Sequence, residues 1–488
     1  MKRVPELRIR SANDRSVEPR GEHVLYWMIA SRRSRYNFGL QRAVERAREL
    51  ERPLIVLEPL RCGYPWASAR LHRFVIDGMV DNARRLGESG ITYHPYVEPE
   101  AGHGKGLVAA LAARACLVVT DDYPCFFLPR MVAAAARLAP VLVEQVDSNG
   151  ILPLRAAERV FTTARSFRIW LQKVLRPHLD EPPEADPLAG ARLPAGSFPR
   201  LIARRWPAAS RALLAGDPTA LAALPIDPSV GPSPLTGGAA AGEQALARFV
   251  ARGLDRYLDD RDHPDAEGTS GLSPYLHFGH VSAHDIFARI ARRERWTPAR
   301  LAADAGGSRA GFWGMSPAAE AFVEQLVTWR EVGFNMCAFQ RDFSQYDSLP
   351  AWALKTLAKH AADPRNTVYS LEELAAARTH DEVWNAAQRQ LVREGRLHNY
   401  MRMLWGKKIL EWSPSPEEGL EVMIELNNRY ALDGRDPSSY SGIFWVLGRY
   451  DRAWGPERPI YGTVRYMSSA SAARKLHLKR YLERFGPE

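Results

Sequence analysis

Cysteine is scarce in this chain of 488 residues, with only Cys62, Cys116, Cys125 and Cys337, and no two of them form a CxxC pair. That spacing argues against a disulfide framework, an iron–sulfur cluster or a zinc site, so no metal is expected. No run approaches the roughly 20 uncharged apolar residues that cross a bilayer. The basic N-terminus lacks an apolar core segment, which argues against a secretory signal and predicts a cytoplasmic protein without a membrane partner. A GxGxxG after a strand is also missing, so the usual dinucleotide fingerprint is absent.

What the chain does have is the composition of a globular protein, 46% hydrophobic and 25% charged. Its length exceeds what one core supports, so two or three domains are expected. The formal net charge of +10 suits a polyanionic partner.

Residues 1–20 carry scattered charge without an apolar period and read as an N-terminal arm. Short apolar runs at 23–28, 54–57, 91–94, 117–120 and 141–143 alternate with helical patterns at 37–50, 67–88, 104–114 and 126–138. That alternation predicts an α/β domain over 21–175 with a parallel sheet covered on both faces. Ligands of such sheets sit beyond the carboxyl ends of the strands, here the loops after Met28, Leu57 and Thr120. Frequent prolines mark 176–242 as an interdomain linker with short helices. From 243 to 488 the pattern is helical, with segments at 243–258, 282–294, 317–340, 350–361, 371–376, 381–394, 396–411 and 416–431. A second, all-α domain is expected there.

The stretch from Trp384 to Trp412 is too polar and too aromatic for an ordinary core helix. Trp384 and Trp405 are 21 positions apart (405 minus 384), which on one straight helix would be about 30 Å. A break at Glu394-Gly395 would let two helices fold back on each other. Further upstream, Gly268 to Gly279 places hydroxyls and glycines just before a helix, a pattern that either caps the helix or holds a phosphate.

Several of these motifs resemble those of the photolyase and cryptochrome family: Thr269-Ser270-Gly271-Leu272-Ser273-Pro274-Tyr275-Leu276, Trp384-Asn385-Ala386-Ala387-Gln388, Arg402 to Trp412, Leu426 to Tyr430, Asp433 to Pro437 and Gly462 to Met467. The later ones are most similar to class II cyclobutane pyrimidine dimer photolyases. The resemblance implies a Rossmann-like antenna domain, for which a deazaflavin-type chromophore is one candidate, followed by an all-α domain holding FAD, and light-driven repair of cyclobutane pyrimidine dimers in DNA by a monomer. The alternatives are a photoreceptor without repair activity and a nucleic-acid-binding protein with a degenerate flavin site.

By the same resemblance, FAD is held by Tyr257, Thr269, Ser270, Gly271, Leu272, Ser273, Asn427, Asp433, Arg435 and Asp436. Trp405 and Trp384 relay electrons to it, and Trp412 either extends that path or is core. Gln325, Trp329, Met403 and Trp445, with Asn427, serve the lesion chemistry. Arg452 and Arg465 contact DNA, with Lys407, Lys408 and Arg449 among further cations that could meet phosphates. Gln325 stands where the family has Glu, which predicts weaker repair. His398-Asn399 and Trp329-Arg330-Glu331 look more like class I. Met403 near the position of a second essential histidine disfavours (6-4) repair.

Overall fold

The computed structural model describes residues 2–303 and 306–487. The chain folds into two compact units, one made of 1–157, 175–247 and 272–292, the other of 158–174, 248–271 and 293–488.

The first unit is built on a sheet of β1 (Ile9–Ser11), β2 (His23–Trp27), β3 (Leu54–Leu60), β4 (Thr92–Val97), β5 (Ala115–Asp121) and β6 (Val143–Val146). The strand order is β1-β6-β5-β2-β3-β4, parallel throughout except that β1 runs antiparallel along β6. Helices α1 (Phe38–Glu49), α2 (Ala69–Glu88), α3 (Leu107–Ala112) and α4 (Leu128–Leu138) make the crossovers. Alternate residues go to opposite faces: Val24, Tyr26 and Met28 pack with α1 residues Leu40 and Val44. Leu25 and Trp27 pack with Leu107, Leu111 and Val132. Burial on both faces is why these strands read as unbroken apolar runs.

Ile9-Arg10-Ser11 has no strand signal of its own. It pairs with Val146, Gln145 and Glu144, and Arg10 is tied to Asp122 at 3.0 Å, so tertiary pairing makes this edge strand. The Pro-rich stretch holds short helices at Arg200–Arg205, Arg211–Leu214 and Pro218–Ala222, whose Ile202, Leu213 and Leu221 are buried.

The second unit is helical. The single helix expected over 317–340 is three segments: α5 (Pro317–Val323), a π-helical stretch Glu324–Trp329, and α6 (Arg330–Phe339). After two shorter helices, Ala351–Lys359 and Leu371–Ala375, come α7 (Glu382–Glu394), α8 (Asn399–Trp412), α9 (Pro416–Tyr430) and α10 (Pro437–Val446). Gly395, at φ +71°, ends α7, because only a residue without Cβ adopts that left-handed conformation freely. The chain then reverses and α8 packs on α7.

Helix α10 packs against α6, α8 and α9. Two glycines set that closeness. A Cβ on Gly333 would lie 2.6 Å from Ser441 Oγ and 2.9 Å from Pro437 O, and one on Gly406 would lie 2.5 Å from Val446 Cγ2.

Candidate functional site

The fold-back of α7 and α8 brings the tryptophans of the second unit together. Trp384 Nε1 donates to Trp405 O at 3.0 Å, and Trp405 Nε1 donates to Gln388 Oε1 at 2.8 Å. The ring centres of Trp384 and Trp412 are 5.5 Å apart, edge to face. All three indoles are buried. Beyond Trp412 lie the rings of Tyr369 and His380, each 5.4 Å away, the first partly exposed and the second exposed. Sequence reasoning missed Gln388, Tyr369 and His380 as members of this series, since nothing in their spacing joins them to an indole.

On α9, Asn427 is buried; its Nδ2 donates to Ser439 Oγ at 2.7 Å and its Oδ1 accepts from Arg402 Nη1 at 3.4 Å. Arg402 also grips both Asp433 carboxylate oxygens, at 3.0 and 3.1 Å. Arg402 is thus a further member of the polar cluster. Arg435, at φ +62°, directs its guanidinium at Asn428 O in the last turn of α9 and at Ala431 O and Leu432 O just beyond it. Asp436 caps α10, accepting from Ser438 N at 2.8 Å.

The loop Thr269 to Ser273 leads into a short helix, Ser273–His277. Thr269 and Ser273 are exposed, Ser270 is half-buried and Leu272 is buried. Gly271 has φ +67° and open space where a Cβ would lie. Tyr257 is buried edge to face on Phe249 and Phe322, with ring centres 5.8 and 5.2 Å away. Two exposed hydroxyls beside an uncrowded glycine are a donor set that fits a phosphate group, and buried amides with an Arg–Asp pair fit the polar edge of a flavin ring.

Gln325 and Trp329 both lie on the π-helical stretch, which places residues four apart on nearly one face. Both are half-buried among buried neighbours, as are Met403 on α8 and Trp445 on α10. The stretch is pinned from behind. Glu324 Oε1 accepts from Arg168 Nε at 2.9 Å and Glu324 Oε2 accepts from Thr328 Oγ1 at 2.7 Å.

Near Trp445, Arg465 stacks on Trp454 with Cζ 3.9 Å from the ring centre and lies 5.6 Å from Trp445. Exposed Arg452 stacks on the same Trp454 at 4.4 Å. The expectation that Lys407, Lys408 and Arg449 meet phosphates is corrected, because all three are buried. Lys408 instead pairs with Glu411 at 2.9 Å, and Arg449 donates to Phe343 O at 2.9 Å.

In the first unit, the Asp121 carboxylate accepts from the N–H groups of Ile29, Ala30 and Ser31 at 2.9, 2.7 and 3.0 Å, and from Tyr26 Oη at 2.8 Å. It thereby orders the loop after β2 at the point where the strand order reverses. Loops after β3 and β5 form a partly exposed aromatic cluster. Tyr64 lies 5.5 Å from Phe127, Trp66 stacks 5.9 Å from Phe126, and Arg61 sits 5.8 Å over Phe127. A separate cleft of about 220 Å³ is walled by mixed charge, including Arg33, Asp81, Arg84, Glu243 and Asp285.

Among the described residues, no helix is long and apolar enough to cross a membrane, and no cluster of three or more His, Cys, Asp or Glu side chains could hold a metal ion.

No family model matches the chain. It is similar to a protein of Methanothermobacter thermautotrophicus named deoxyribodipyrimidine photo-lyase, with 34% identity over 98% of this chain and 97% of the relative. A protein of that name from Oryza sativa subsp. japonica is 35% identical over 95% of this chain and 87% of the relative. Among solved structures, a bacterial class III photolyase from Agrobacterium tumefaciens shares the fold at TM-score 0.68 and 17% identity, covering 95% of this chain and 86% of that one. The chain belongs to the deoxyribodipyrimidine photo-lyase family.

Proposed function

We propose that this chain is a light-driven DNA repair enzyme that splits cyclobutane pyrimidine dimers. The observation that carries the reading is the match over 98% of the chain to a relative named for that activity. The half-buried faces of Gln325, Trp329, Met403 and Trp445 are consistent with it.

When bound, reduced FAD would supply the light-excited electron for opening the dimer ring. The protein's tasks are to hold the cofactor and the lesion and to exclude water. Thr269, Ser270, Gly271, Leu272 and Ser273 would hold the diphosphate, and Tyr257 would be a further contact of the cofactor. Asn427 presents its amide to the ring edge, oriented by Ser439 and Arg402, and Asp433 fixes Arg402. Arg435 and Asp436 shape the same wall through their caps.

For the lesion, the Gln325 amide donates to a pyrimidine carbonyl, Trp329 and Trp445 offer ring faces, and Met403 fills the gap beside a non-planar dimer. The dimer is flipped out of the duplex to reach them. Arg452 and Arg465 contact the phosphates. Trp405, Trp384 and Trp412 relay an electron inward, with Tyr369 at the outer end. An antenna of deazaflavin type fits the aromatic cluster of Tyr64, Trp66, Phe126 and Phe127 better than the mixed-charge cleft, since a planar ring system stacks on aromatic faces. We assign the protein to the cytoplasm and to a monomeric state.

The test is to load the purified chain with FAD, reduce it, and mix it with an oligonucleotide carrying one thymine dimer. The dimer is expected to disappear under blue light and persist in the dark. Persistence in both, with FAD bound, would make the chain a photoreceptor instead.

A further inference from the structure

Lys407 is among the most deeply buried cations of the second unit, with 1% of its surface exposed. It follows Gly406, whose missing side chain lets α8 approach Val446. Its Nζ donates to Val446 O at 2.5 Å, at the carbonyl-rich end of α10, and lies 5.1 Å from the ring centre of Trp445. Charged and titratable groups around it come from three places. On α8 itself, Glu411 pairs with Lys408 and accepts from Tyr461 Oη. The end of α10 offers only its carbonyl and the indole. From the segment that follows, Asp451 faces it but is paired with Arg465 at 3.0 Å, while Tyr461 Oη donates to Lys407 O at 2.8 Å. The ammonium is therefore held by a helix terminus and an aromatic face, both of which favour a cation. Arg465 borders the same indole at 5.6 Å.

We propose that Lys407 is a positioning residue for Trp445: its ammonium, tied to Val446 O, fixes the half-buried indole in the orientation that takes the flipped pyrimidine dimer. This rests on the reading of Trp445 as a lesion-stacking residue. The amino group cannot meet DNA itself, because it is buried. It acts through the ring, so it governs discrimination between damaged and intact DNA rather than phosphate contacts. Burial lowers the Lys407 pKa from its usual value to about 7, opposed by Asp451 and reinforced by Arg465. The proton that keeps the cation–π contact is thus lost as pH rises through neutrality, and preference for dimer-containing DNA falls with it.

The experiment compares wild type, Lys407→Met and Lys407→Arg, each loaded with FAD, for affinity to a dimer oligonucleotide and to its undamaged counterpart between pH 6 and 8.5. Wild type is expected to lose preference for the dimer as pH rises through about 7. Lys407→Met is expected to bind the dimer about tenfold more weakly at pH 6, with undamaged DNA unaffected and no pH dependence. Lys407→Arg, with a cation that stays protonated, is expected to keep the affinity and lose the pH dependence, which separates positioning from a packing defect. If Lys407→Met does not fold, the Lys407→Arg profile decides: an unchanged inflection near neutrality overturns the proposal. A wild type that repairs dimers while both variants match its affinity and pH profile also overturns it, and leaves the repair function standing. A wild type that neither prefers nor splits dimers contradicts the repair function itself, and this assignment with it.

Discussion

Gln325 occupies the half-buried face of the π-helical stretch, where an amide can donate to a carbonyl but cannot share a proton. One well-placed hydrogen bond is worth about 1 kcal/mol. Gln325→Glu is accordingly expected to raise repair per absorbed photon by about fivefold, and an unchanged quantum yield would show that position 325 does not touch the dimer. The buried Trp405 donates its N–H to Gln388, a neutral acceptor that stabilises positive charge on the indole. Trp405→Phe removes both the donor ring and that bond, so photoreduction of the bound flavin should slow by at least about tenfold while repair by pre-reduced enzyme persists. Absorbance kinetics under blue light read this directly. The motif around Trp384 and Trp405 was visible in the sequence because three indoles in under thirty residues are unusual. Gln388 as an indole partner and Lys407 as a buried cation were not, because a side chain's partner depends on the helix crossing and not on its neighbours in sequence.

Helix α10 is gripped at two points by residues without side chains, Gly333 on α6 and Gly406 on α8. An added methyl at either would fall within 2.6 Å of atoms on α10. Gly333→Ala and Gly406→Ala are each expected to destabilise the fold by about 1–3 kcal/mol through overpacking, seen as a lower urea midpoint. The π-helical stretch depends on an ion pair whose side chains are only 4% and 9% exposed, Arg168 with Glu324. Breaking a buried pair leaves one charge uncompensated, so Glu324→Ala should cost about 3 kcal/mol and reduce dimer affinity although Glu324 is itself buried. Periodicity located the helical run over 317–340 but could not show the π-helical insertion, since an apolar pattern tolerates one extra residue per turn. The edge strand Ile9–Ser11 escaped for a different reason: its partner, β6, lies more than 130 positions away (143 minus 11) and supplies all of its pairing.

Across the molecule, the net charge of +10 predicts DNA binding that weakens steeply with salt. Five of the buried histidines set the acid limit of stability. Burial lowers His23, His72, His94 and His398 to about 4 and His280 to about 3. The unfolded chain takes up these protons near pH 6.5, so between 6.5 and 4 it binds more protons than the native state. Stability is therefore fully present above pH 6.5 and lost as pH falls toward 4. A urea midpoint that stayed level from pH 7 to pH 5 would contradict these burials. The alternation of apolar runs and helices displayed the α/β architecture from the sequence alone, and the family motifs pointed to the helical half. The central claim is dimer splitting by light, and counting restored thymines by chromatography tests it most directly. With reduced FAD bound, the account predicts that blue light converts a cyclobutane thymine dimer into two intact thymines, with no change in the dark and none for a (6-4) photoproduct. Intact dimers after illumination of the flavin-loaded, reduced protein would contradict it.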